Sequence, residues 1–96
     1  MLIYNYIEVI MSEYVYPAII YPDSEGRGFT ISVPDVNIVT EGETVEEAFL
    51  RAKDFLASYI EVCNELDSDI EGSTSFAATA KKNPKRIILL VDADNE

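Results

Sequence analysis

The stretch from Thr44 to Leu66 limits this chain more than any other. Thr44-Val45-Glu46-Glu47 has the spacing of a capping box, with threonine at the N-cap and glutamate three residues on. From Val45, apolar residues recur at Ala48, Phe49, Ala52, Phe55, Leu56, Tyr59, Ile60 and Cys63, in steps of three and four. That spacing predicts one amphipathic helix running to about Leu66. Leu50 falls on its outer face among Arg51, Asp54 and Glu61. A chain of 96 residues has room for one core and no second domain, so this helix must share its core with whatever the rest of the chain supplies.

The rest reads as strand. Residues 14–21, Tyr-Val-Tyr-Pro-Ala-Ile-Ile-Tyr, are β-rich and apolar at both parities. Pro17 cannot donate to a ladder, which predicts a strand unpaired on one side there, or bulged. Asp23, Ser24, Glu25 and Gly26 are turn chemistry. Phe29, Ile31 and Val33 then alternate with Thr30 and Ser32, the pattern of a half-buried strand closing a hairpin. Pro34-Asp35 marks a second turn, followed by a short strand around residues 38–40. Residues 67–80 are polar and rich in small side chains and read as a loop. The apolar run at residues 87–91 is too short for a helix and reads as a buried closing strand. No internal repeat is visible. The expected class is α+β: a three-stranded antiparallel sheet, one long helix, then the closing strand (βββαβ). One helix covers one face of such a sheet, so the second face predicts an apolar patch unless the N-terminal residues fold over it.

Charge is the strongest global signal. Eighteen acidic against seven basic residues give a net charge of −11, with no histidine. A surface this negative repels nucleic acid and anionic lipid and steers basic proteins toward it. Ten of the acids fall within residues 41–71, so the field is concentrated on the helix and its flanks. Glu43, Glu46 and Glu47 also suit the helix dipole, which explains them without any partner. Lys81, Lys82, Lys85 and Arg86 form the one basic cluster; without an aromatic platform it reads as a solvated lead-in to the last strand. Tyrosines crowd the front of the chain, where core packing and hot-spot roles compete.

Catalysis finds little support. There is no P-loop, no G-x-G-x-x-G, no histidine pair and no calcium loop. A divalent metal on Asp23, Asp35, Asp54 or Asp92 is conceivable, but eighteen acids in a chain this short pair by accident. Cys63, the single cysteine, lacks a histidine to activate it and reads as a buried thiol. No enzyme and no cofactor are expected. The opening residues 1–10 are apolar but short, carry Glu8 and lack a basic start, so neither a signal peptide nor a membrane span is expected and the cytoplasm is the expected location.

Several of these pieces together resemble a known family. Tyr16-Pro17-Ala18-Ile19-Ile20-Tyr21, Asp23 and Gly26, Phe29-Thr30-Ile31-Ser32-Val33-Pro34-Asp35, and Val39-Thr40-Glu41-Gly42-Glu43-Thr44-Val45-Glu46-Glu47-Ala48 follow the pattern of the N-terminal domain of HicB antitoxins, and residues 87–91 with Asp92-Ala93-Asp94 look like its closing strand. The resemblance implies a partial ribonuclease H-like unit without that fold's nuclease acids. It implies an antitoxin that binds a basic, messenger-RNA-cleaving HicA-like toxin, occludes its RNA surface, and forms a homo-oligomer. On it the chain divides into an extension (1–13), a partner-binding domain (14–94) and a tail (95–96) where the family's DNA-binding module would begin, so no specific DNA binding is expected. Val36-Asn37-Ile38 stands where the family often has Pro-Gly-Cys. Charge at loop and helix-start positions selects Asp23, Glu25, Asp35, Glu41, Glu43 and Glu46 as partner contacts. A metal-dependent nuclease on a ribonuclease H-like sheet and a purely structural oligomerisation module are the rival readings.

Overall fold

Four antiparallel strands form one sheet in the order β3–β2–β1–β4: β1 Val15–Pro22, β2 Phe29–Val33, β3 Ile38–Gly42 and β4 Ile87–Asp92. The computed structural model describes residues 14–93. The expected N-terminal extension and C-terminal tail lie outside the described residues. The closing strand therefore does not stand apart from a three-stranded sheet; it pairs with β1 and makes the sheet four-stranded, with β1 in the interior.

The turns set the register. Asp23 N–H donates to the Gly28 carbonyl (2.8 Å), while the Asp23 carboxylate accepts from the N–H groups of Glu25 (3.0 Å) and Arg27 (3.3 Å). Gly26 sits at φ +75°, open to glycine without strain. Between β2 and β3 a single 3-10 turn, Pro34–Val36, ends on Asn37 in the left-handed region, a conformation asparagine tolerates. Pro17 falls where β1 pairs with β4 alone, since pairing with β2 begins at Ile19. The strand is thus unpaired on one side there, as a residue without an N–H requires.

Helix α1 spans Val45–Glu65. Thr44 Oγ1 accepts from Glu47 N–H (3.0 Å), and the Glu47 carboxylate reaches back to Glu43 N–H (2.6 Å), one residue beyond the usual capping-box partner. At the other end Asp67 takes a left-handed conformation and Ser68 N–H bonds the Cys63 carbonyl (2.8 Å), the wrap that ends many helices. The buried stripe Ala48, Ala52, Leu56, Ile60 and Cys63 follows the predicted spacing, but Phe55, counted on the same face, lies at its margin and is half exposed. It packs on Tyr16, Ala18, Ile20, Ile31, Val33 and Val91, which the register places on one sheet face.

The expected loop over residues 67–80 contains a second helix, α2, Phe76–Lys82. Ser75 caps it by accepting from Ala78 N–H (3.0 Å), and Lys81 and Lys82 occupy the last turn, where cations suit the dipole. Three alanines favour the helix intrinsically, a signal masked by reading small residues as loop. α2 packs against β4 and β1. Pro17 and Ile19 point away from α1 yet are buried, so part of the second face is covered. The remainder is not: Leu90 and Val39 stay exposed on it. The closing strand is also less buried than expected. Only Val91 is fully enclosed, because an edge strand has a neighbour on one side and cover on part of its length.

Candidate functional site

The sheet's upper end, where Pro22, Phe29 and Gly42 lie side by side, opens into a polar cleft of about 530 Å³. The β1–β2 turn contributes Asp23, Glu25 and Arg27; the end of β3 contributes Glu41 and Glu43; the first turns of α1 contribute Glu47 and Arg51. Two glycines bring these elements together. A Cβ on Gly28 would stand 2.6 Å from the Gly42 carbonyl oxygen, and a Cβ on Gly42 would stand 2.5 Å from Ala48 N. Strand end, turn and helix start can approach this closely only without side chains there.

Within the cleft some carboxylates serve the fold and others do not. Asp23 holds its own turn, Glu25 pairs with Arg27, and Glu47 caps α1 and pairs with Arg51 (3.3 Å). Arg51 also donates to the Glu41 carbonyl (2.8 Å), tying helix to strand edge. The carboxylates of Glu41 and Glu43 make no hydrogen bond or ion pair among the described residues, and both side chains are exposed. The cleft holds five acids against two arginines, all open to water. Such a surface carries a concentrated negative field.

Of the six residues singled out by charge, Asp23, Glu25, Glu41 and Glu43 line this one cleft. Glu46 is exposed at the helix start, turned off the cleft by one helical step from Glu47. Asp35 lies at the opposite end of the sheet, where its carboxylate accepts from Thr74 N–H (2.7 Å) and Thr74 Oγ1 (2.8 Å). Glu47 and Arg51 were missed as site residues. Glu47 carried a complete explanation as a cap, and Arg51 enters only because the helix returns past the end of β3.

The four aspartates considered for a metal stand apart: Asp23 in its turn, Asp35 on Thr74, Asp92 paired with Lys53, and Asp54 exposed on α1. Among the described residues no three Asp, Glu, His or Cys side chains gather as a metal site would require. Nor is any described helix long and apolar enough to cross a membrane.

At the lower end Tyr16 and Tyr59 grip the backbone of one residue, Glu71. Tyr16 OH donates to the Glu71 carbonyl (2.6 Å), and Glu71 N–H donates to Tyr59 OH (3.1 Å). Burial first, then the neighbouring Tyr59 and Asp35, push the Tyr16 hydroxyl up to about 12. This pair locks the crossing loop and touches no cleft residue.

An α+β domain with an acidic cleft that presents unpaired carboxylates defines a class: a small acidic four-stranded domain with one long helix packed on its sheet. Comparison with known proteins gives the family. A model described as HicB_like antitoxin of bacterial toxin-antitoxin system matches residues 16–96, and the chain belongs to that family. Among solved structures, the N-terminal domain of the Burkholderia pseudomallei antitoxin HicB superposes with a TM-score of 0.71 at 24% identity, covering 84% of this chain and 99% of that one. A second crystal structure of the same antitoxin gives a TM-score of 0.74 at 21% identity over 84% of this chain and 62% of that one, so the chain spans under two thirds of that longer protein. At these identities the likeness is one of fold. A search of curated proteins found no match.

Proposed function

We propose that this antitoxin domain binds a basic, messenger-RNA-cleaving HicA-like toxin and neutralises it by covering the cationic surface with which the toxin holds RNA. The observation that carries the reading is the convergence of Asp23, Glu25, Glu41 and Glu43 on one open cleft, with Glu41 and Glu43 unpaired among the described residues. Engaging unpaired exposed carboxylates breaks no bond within the domain, and at a solvent-exposed surface their attraction steers a cationic partner. Glu46 extends the acidic surface along the helix start. Asp35, held by Thr74 at the far end, serves the fold in this reading.

A net charge of −11 works against binding DNA or RNA directly, which leaves protein as the target. The test is co-expression with the neighbouring open reading frame, whose product should be a short basic protein, followed by co-purification and a cleavage assay. The reading expects a complex that silences RNA cleavage, with Glu41→Lys/Glu43→Lys together weakening it. Failure to form any complex at low salt would end it. RNA cleavage by the clean domain itself, abolished by EDTA, would favour the metal-dependent nuclease instead.

A further inference from the structure

A second surface of different character lies along the other half of the same strand. β3 is an edge strand of the sheet, and between its lower half and α1 runs an apolar groove of about 410 Å³ lined by Ile38, Val39, Phe55, Tyr59 and Val62. Phe55 and Val62, on its helix wall, are exposed by 52% and 50%, high values for neighbouring apolar side chains, while Val39 lines it from the strand edge with its side chain on the opposite sheet face. In an antiparallel ladder the peptide groups of alternate residues face opposite edges. Arg51 holds the Glu41 carbonyl from outside the sheet, which assigns Glu41, and with it Val39, to the outward-facing set. The backbone of Val39 is then an open pairing edge directly beside the groove. Along the solvent side of the groove, steps of seven and four place Glu47, Asp54, Glu61 and Glu65 in one row on α1.

From this juxtaposition, and resting on the antitoxin reading above, we propose that an extended cationic segment of the toxin adds to β3 as a fifth strand. Its apolar side chains on the helix side enter the groove against Phe55 and Val62, and the alternate, basic ones meet Glu41, which the register places on the opposite face. The charge selects this occupant. A second copy of the chain would bring the same acids against one another, whereas a basic strand satisfies edge, groove and Glu41 together and lies in the attractive field of the carboxylate row.

The experiment uses the 96-residue chain and the basic protein encoded beside it, with binding followed by titration and amide hydrogen exchange followed in the complex. Val39→Pro removes an outward N–H that an edge strand can spare, Phe55→Ser empties the groove, and Leu50→Ser on the outer helix face is the control. Melting curves establish that each variant folds; if Val39→Pro does not, Phe55→Ser and the exchange data decide. The expectation is that Val39→Pro and Phe55→Ser each weaken binding at least about tenfold, that Leu50→Ser binds as the natural chain does, and that the Val39 amide becomes protected in the complex. A complex that both variants form normally overturns this proposal and leaves the antitoxin reading intact. Weakened binding with a freely exchanging Val39 amide overturns strand addition in favour of a helix in the groove. A dimer of the free chain that the same two variants dissociate assigns the edge to a second copy and overturns it likewise. No complex with the natural chain overturns both readings.

Discussion

Tyr16 shows how much one side chain contributes here. Its ring is enclosed in the core beneath α1 while its hydroxyl holds the Glu71 carbonyl, so it joins β1 to the loop that carries the chain around the sheet. Tyr16→Phe keeps the ring and deletes the bond, and should cost about 1 kcal/mol at neutral pH, read from chemical denaturation. The same hydroxyl makes stability depend on alkaline pH. Its folded pKa lies above the unfolded value of 10.0, so between pH 10 and about 12 the unfolded chain loses the proton first and stability falls as pH rises. Denaturation midpoints compared below pH 10 and near pH 12 should drop for the natural chain and drop less for Tyr16→Phe. Asp35 makes a contrasting case. Asp35→Ala removes both bonds to Thr74 and should destabilise the domain by about 1 kcal/mol while leaving affinity for the toxin unchanged, because the residue stands at the end away from the cleft.

Among the elements, the junction of β3 with α1 matters most, since it forms the cleft wall and sets the angle at which the helix crosses the sheet. Gly42 is the contact point. Gly42→Ala drives a Cβ against the Ala48 backbone, which no side-chain rotation relieves, and should cost about 2 kcal/mol or more in a thermal or urea melt. The cap next to it is worth less: Thr44→Ala loses one hydrogen bond to Glu47 N–H, about 1 kcal/mol. The two changes differ in consequence as well as size. Loss of the cap frays the first turn, whereas the clash at Gly42 moves Glu41, Glu43 and Arg51 relative to one another and should impair toxin binding even where the fold survives.

For the molecule as a whole, charge acts in two opposite directions. Eighteen acids on a small domain repel one another, and added salt screens that repulsion; the Debye length shrinks to about 8 Å at physiological ionic strength. The free domain should therefore melt at a higher temperature as sodium chloride is raised from low to physiological levels. Attraction to a cationic partner is screened by the same ions, so the complex should weaken over the same range, chiefly through slower association. Opposite salt responses of the free and bound protein, measured by melting and by binding kinetics, separate electrostatic steering from general ionic effects.

The long helix was legible from sequence because its period and its cap are local facts: Thr44, Glu47 and the apolar stripe predict Val45–Glu65 to within a residue. The hairpin, the 3-10 turn at Pro34 and the one-sided pairing at Pro17 were legible for the same reason, since each follows from what one residue can or cannot do with its own backbone. The short helix at Phe76–Lys82 was not, because a few alanines between polar stretches mark a helix only when β1 and β4 stand ready to receive it. The same division runs through the site. Charge pattern alone selected Asp23, Glu25, Glu41 and Glu43, but their meeting in one cleft depends on two glycines that let strand, turn and helix touch across long gaps in the chain. Asp35 looked like its neighbours in sequence and was sent to the other end of the sheet by the direction of β2. Sequence determines what each segment prefers and how much charge it bears; distance between segments is a property of packing, and only packing decided which acids share one cleft.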